Sequence, residues 1–171
     1  MFVLLPKEVN GKPLNLKNFG ELVKKYFPKN KEGYRYFPPF AKIHDKSLDN
    51  SRWVYMTKCH LPGSKGKTNS EQHAIVAEFA TKANIPYAVP PALGAAVVCL
   101  TAYINSGGQT RLFRYAMTRC QEGDEDARVI VGEFSPAGLD VNYDYSDCDF
   151  IGVAGFAEVL RSSVLGELGP C

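Results

Sequence analysis

Between residues 92 and 104 the chain has no polar face. Leu93, Ala95, Ala96, Val97, Val98, Cys99, Leu100, Ala102 and Ile104 surround the axis of any helix drawn through them. A helix that is apolar all round must be covered on nearly every side. Thirteen residues are too few for a bilayer span, which needs about 20. The expectation is therefore a central helix inside a folded domain, stopped by Asn105-Ser106-Gly107-Gly108.

What covers it is read from the periods on either side. Beyond residue 110 the apolar pattern alternates, and strands are expected over 111–120, 128–134, 139–143 and 150–156. Short connections, with an acidic linker over 121–127, favour an antiparallel meander. Ahead of the helix, 2–5 and 53–58 read as strands. Asn15 caps a run in which Leu16, Phe19, Leu22, Val23, Tyr26 and Phe27 recur at helical spacing until Pro28. A further helix is expected over 69–83, with Asn69 or Ser70 as its N-cap. Residues 29–52 are polar and Pro-containing and read as a long surface loop. The fold class expected is α+β: an antiparallel sheet in the C-terminal half packed on the buried central helix, with two further helices, in one domain over 1–171. A chain of 171 residues buries roughly 70% of its unfolded surface, enough for one core.

Charge and cysteines bound the function classes. Residues 1–70 carry fourteen Lys or Arg against five Asp or Glu, and residues 71–171 carry six against thirteen. Such a split serves either a phosphate-bearing partner or two halves that neutralise each other. The second is favoured, because nucleic-acid binders carry a clearly basic domain. Tyr34, Arg35, Tyr36 and Phe37 interleave aromatic and basic groups in the manner of a single-strand stacking platform, though core packing is the commoner use. Cys59, Cys99, Cys120, Cys148 and Cys171 are odd in number and widely spaced. That pattern suits reduced thiols in a cytoplasmic setting better than a zinc ribbon or a disulfide framework. The opening Met-Phe-Val-Leu-Leu-Pro has no charged region of the kind that begins a signal peptide.

Three groups carry chemical signals. Gly63-Ser64-Lys65-Gly66-Lys67-Thr68 lies between an expected strand and an expected helix, where backbone amides and a helix start cradle phosphate. Its Gly-Lys-Thr ending matches a P-loop, but the first glycine of that motif falls at Leu61 and Pro62 has no amide to donate. Ser64, Lys65, Gly66, Lys67 and Thr68 are the candidate anion-binding residues. Asp140, Asn142 and Asp144 alternate as calcium-loop ligands do, with Tyr145 where the turn glycine belongs and Ile151 where a bidentate Glu belongs. The candidate nucleophile is Cys59, with His60 and His73 as bases, although neighbours in a strand face opposite ways. His44 reads as a solvated loop residue. Arg119 and Glu133, on neighbouring expected strands, read as a charged pair or a pocket waiting for a ligand.

Three stretches carry a family resemblance: Trp53-Val54-Tyr55-Met56-Thr57-Lys58 with Leu61-Pro62-Gly63-Ser64, Thr118-Arg119-Cys120-Gln121-Glu122, and Val131-Gly132-Glu133-Phe134-Ser135-Pro136-Ala137-Gly138-Leu139. Over residues 50–156 the chain resembles an uncharacterised module of chlamydia-like amoebal bacteria, sometimes attached to leucine-rich-repeat or F-box-type proteins. The resemblance implies an intracellular bacterium and a protein delivered to its host. It brings no activity and no catalytic residue.

The reading that follows is a binding module for a protein or other macromolecular partner, engaged through the 29–52 and 61–68 loops. Nucleic acid is the less favoured partner. No membrane partner and no cofactor are expected. The alternative is a small enzyme with an anion-binding loop at 63–68 and a Cys/His centre near 59–73.

Overall fold

The computed structural model describes residues 1–27, 29, 33–35, 43–123, 127–144 and 147–159. Local chemistry sets its three helices. Helix α1 (Leu16–Val23) starts where the Asn15 side chain accepts the Asn18 N–H at 2.8 Å, then tightens into a 3-10 turn over Lys24–Tyr26. Helix α2 (Asn69–Ala83) is capped one residue earlier than expected. Thr68 accepts the Glu71 N–H, and the Glu71 carboxylate accepts the Thr68 N–H in return. Helix α3 (Ala92–Asn105) is the apolar one, and every residue from 92 to 100 is buried. Gly107 and Gly108, both at positive φ, close it by donating to the Ile104 and Tyr103 carbonyls.

Two sheets and α1 supply the cover. On one side of α3 lies the expected meander, β5 (Met117–Gly123), β6 (Arg128–Ser135) and β7 (Gly138–Asp144). The short β8 (Ile151–Gly152) joins β5 in parallel, so this sheet is mixed, in the order β7-β6-β5-β8. Against the other side pack α1 and a second, antiparallel sheet, in which β1 (Phe2–Leu5), β4 (Arg52–Met56) and β9 (Phe156–Val159) lie in the order β1-β4-β9. A small hairpin of β2 (Glu8–Val9) and β3 (Lys12–Pro13) turns through Asn10 and Gly11, both at positive φ. One continuous core runs from Val3 through α3 to Phe156.

The α+β architecture is as expected, and three details differ. The strand expected over 150–156 is two strands in two sheets. Between them the Val153 and Gly155 carbonyls accept the Leu61 and Thr57 N–H groups, so that backbone serves the 57–64 loop instead of a ladder. The strand expected from residue 111 begins at Met117. Leu112 and Phe113 are buried by packing, and Phe113 sits at φ 51°, outside any strand geometry.

The third difference concerns 29–52, whose described residues are mostly exposed but which is anchored in the core at Gly33, Tyr34 and Ile43. Tyr34 is 1% exposed and donates its hydroxyl to the Leu16 carbonyl at 2.9 Å, and Ile43 is buried. Gly33, at φ 78°, lies against α1 so closely that a β-carbon would stand 2.0 Å from the Gly20 carbonyl oxygen. Tyr36, Phe37 and the rest of that segment lie outside the described residues.

Ion pairs between the two halves answer part of the charge split. Arg35 of the basic half holds Asp140 and Glu133, Arg52 holds Glu158, and Lys46 stands 3.9 Å from Glu122. Gly33→Ala should lower stability by about 2 kcal/mol or more, through the clash and the positive φ together. The urea midpoint measures it, and a parental midpoint would mean that Gly33 is not seated on α1.

Candidate functional site

Strand alternation sorts the side chains of the β1-β4-β9 sheet into two sets. Val3, Leu5, Val54, Met56 and Phe156 point inward and are buried. Their neighbours point outward, and they are not the polar residues that a solvated face normally carries. Register sets Phe2 opposite Tyr55 and Tyr55 opposite Ala157, then Leu4 opposite Trp53 and Trp53 opposite Val159. Phe2 is 63% exposed, Trp53 49%, Val159 44% and Leu4 42%. Two rows of apolar side chains thus cross a three-stranded sheet with water on their far side.

Ring contacts hold the first row in shape. The Phe2 and Tyr55 rings meet edge to face at 5.1 Å, and Tyr87, from the segment after α2, stands 6.1 Å from Tyr55. Partial burial, and then the Tyr55 hydroxyl, hold the Tyr87 phenol above its ordinary pKa. Gly155 makes room for that ring, since a β-carbon there would come within 3.0 Å of it. Lys58, exposed two residues past β4, is close enough to the Met1 amino group to help lower its pKa, after burial, the larger cause. The patch can bury aromatic area against another surface. It holds no arrangement for bond-making chemistry.

Of the residues expected to carry an anion site, Ser64, Gly66 and Thr68 are committed to the fold. The amides of Leu61, Ser64 and Gly66 donate to the Val153, Leu61 and Ile151 carbonyls. Ser64 is fully buried, its Oγ accepting the Val153 N–H at 3.1 Å. Thr68 is the α2 cap, and Glu71 places a carboxylate at the helix start that an anion would need. Lys67 pairs with Glu71 at 3.4 Å, and Lys65 is exposed. The amides named here are spent within the chain, so the P-loop likeness ends at its letters.

Nor does the fold gather the nucleophile and its bases. Cys59 is exposed, and His73 is exposed on α2. His60 turns inward, stacked on Phe113 with ring centres 4.8 Å apart, and Gly152 leaves it space. Burial, and then the Lys65 charge, lower its pKa to about 4 against an opposing hydrogen bond to the Met117 backbone. It is a neutral wedge between loop and sheet.

The calcium candidates are likewise occupied. Asp140 takes the Arg35 guanidinium, with Nε to Oδ1 at 2.6 Å. Asp144 takes Arg119 at 3.3 Å, and the Asn142 side chain accepts the Tyr143 N–H. Among the described residues no group of three or more metal-binding side chains is assembled. Arg119 and Glu133 are not a pair. The hairpin sets Arg119 opposite Ile130, and the register shifts after Gly132, where Glu133 adopts φ 44°. Glu133 therefore meets Arg35. Arg119, 3% exposed, meets Asp144, Asp147 at 3.0 Å and the Lys67 carbonyl at 3.4 Å, pinning the 61–68 loop. His44 is half-buried, its carbonyl accepting the Lys17 N–H. Cys99 and Cys120 are core residues whose thiols burial pushes up.

One residue that does organise this region was not singled out from sequence. Gln72 is 1% exposed and donates from Nε2 to the Ser64 and Ile151 carbonyls at 2.8 and 3.3 Å. Nothing in the pattern marks it. Thr68 was expected as an anion ligand and is instead the α2 cap, which its capping-box spacing to Glu71 could have signalled. The aromatic face could have been found from the alternation of Trp53 and Tyr55 with Val54 and Met56.

Comparison with protein-family models, with curated proteins and with solved structures finds no match. No helix among the described residues is long and apolar enough to cross a membrane.

His60 gives the region a pH dependence with a fixed sign. Its pKa is near 6.5 unfolded and about 4 folded, so the unfolded chain binds the extra proton between those values. Its share of stability is intact above pH 6.5 and falls toward pH 4 by about 3 kcal/mol. Urea midpoints across that window should drop less steeply for His60→Phe, which keeps the stack on Phe113. Equal slopes would mean that the folded protein accommodates the charged ring.

Proposed function

We propose that the protein is a binding module that docks another protein on the outer face of the β1-β4-β9 sheet. The observation that carries this reading is the pair of exposed cross-strand rows, Phe2–Tyr55 and Leu4–Trp53–Val159. A contiguous apolar patch is costly to leave in water and is the usual mark of a protein contact. Trp and Tyr are the side chains that dominate binding energy at such contacts. The partner has an apolar centre to meet these rings and acidic groups beside it to meet Lys58. The resemblance over residues 50–156 would make that partner a host protein.

Trp53 is the chain's single tryptophan, so its emission reports directly on the face. With a photo-crosslinking amino acid at position 2, adducts should form in extracts of the expressing or host cell and disappear on adding Trp53→Ser. The same group at Lys82, on α2, should give none of them. Trp53→Ser should weaken an isolated partner about thirtyfold, the equivalent of about 2 kcal/mol, while Trp53 emission in the parent shifts blue on binding. Adducts shared by both positions, or indifferent to Trp53→Ser, would overturn the reading. Concentration-dependent dimers that Trp53→Ser abolishes would make the partner a second copy of the chain.

A further inference from the structure

A cavity of about 420 Å³ opens on the inner side of the same sheet, where β4 and β9 meet the start of α3. That volume is at the lower end of the range of small-molecule sites, about 300–1,000 Å³. Leu5, Leu16, Leu93 and Phe156 supply its apolar walls. Gly94 lets the Phe156 ring approach the helix closely, since a β-carbon there would stand 2.8 Å from it.

One polar group is fixed in this wall. Glu122, at the end of β5, has a side chain only 12% exposed. Its Oε2 accepts the Ala92 N–H at 2.8 Å, which secures the first amide of α3. Its Oε1 has Lys46 Nζ as its nearest cation, at 3.9 Å, beyond hydrogen-bond distance, and that lysine is 68% exposed. Arg52, the other cation at the cavity, is held by Glu158. The cavity therefore presents, beside an apolar space, a mostly buried carboxylate whose Oε1 accepts no hydrogen bond among the described residues and has the exposed Lys46 ammonium as its ion-pair partner at 3.9 Å.

We propose that this cavity is a binding site for a small apolar amine. The ammonium group donates a charge-assisted hydrogen bond to Glu122 Oε1, and the hydrocarbon body lies along Leu93 and Phe156. An acid of the same shape fits poorly. It meets two carboxylates, Glu122 and Glu158, and finds Arg52 already engaged. Lys46 competes with the ligand for the same oxygen.

Three probes with one body separate these cases: 3-phenylpropylamine, 3-phenylpropanol and 3-phenylpropanoate. Titrated into the full chain, the amine should shift the backbone amide resonances of Leu93, Gly94 and Glu122 and bind about tenfold tighter than the acid. Glu122→Gln keeps an oxygen for the Ala92 N–H and should cost the amine about tenfold while leaving the alcohol unchanged. Lys46→Ala, a surface change, should tighten the amine. Tighter binding of the acid, weaker amine binding by Lys46→Ala, or no shift at those amides with any probe at millimolar concentration would each overturn the proposal. Trp53→Ser, on the opposite face, should leave all three affinities intact, which keeps this test independent of the docking reading.

Discussion

A helix without a polar side can exist in water only as the inside of something, and the arrangement of the other elements follows from that. Ala95, Ala96, Val98, Cys99 and Leu100 are all fully buried. Burying each of the larger ones contributes roughly 1.5–3 kcal/mol, and any side left open would forfeit its share. The meander covers one side; the β1-β4-β9 sheet and α1 cover the other. The two sheets share no backbone ladder with each other. They stand together because both need the same helix, and because residues 151–159 pass from β8 in one to β9 in the other.

Much of this could be read beforehand, and the failures have a common cause. Periodicity is local, so α2, α3, β6 and β7 come out within a residue of their observed ends, while β5 starts six residues later than its pattern. Pairing across distance leaves no local trace. Nothing in an alternating run tells 151–152 to pair with β5 and 156–159 with β4, and nothing in the polar text around Tyr34 marks it as core. The same limit applies to the chemical residues. Gly66-Lys67-Thr68 looks open as letters, but whether its amides are free depends on Ile151, Val153 and Glu71. Arg119 and Glu133 looked like partners until a register shift turned each toward a different charge.

The 57–68 loop illustrates how a polar segment becomes structural. Its hydrogen-bonding groups are distributed among β8, α2 and the 153–155 backbone, while Arg119 donates to the Lys67 carbonyl. His60 and Leu61 add apolar contact. A loop anchored through its Leu61, Ser64 and Gly66 amides and the buried Ser64 side chain is costly to rearrange, while the sheet beside it carries the apolar surface with unmet contacts. Two kinds of unmet contact lie on the two sides of that one layer, the outer rings and the inner cavity.

The middle strand of that layer has a history written into its partners. Val54 pairs with Val3 on one side and with Glu158 on the other, so one neighbour lies about fifty residues back and the other about a hundred residues ahead. Closing such loops costs chain entropy before any contact repays it, and folds of high contact order are correspondingly slow to assemble. The helices and the meander, built from nearer contacts, can form while β1 and β4 still wait for β9. During that interval the face that carries Trp53 has no finished sheet behind it, and its apolar rows would be the part of the newborn chain most in need of a chaperone.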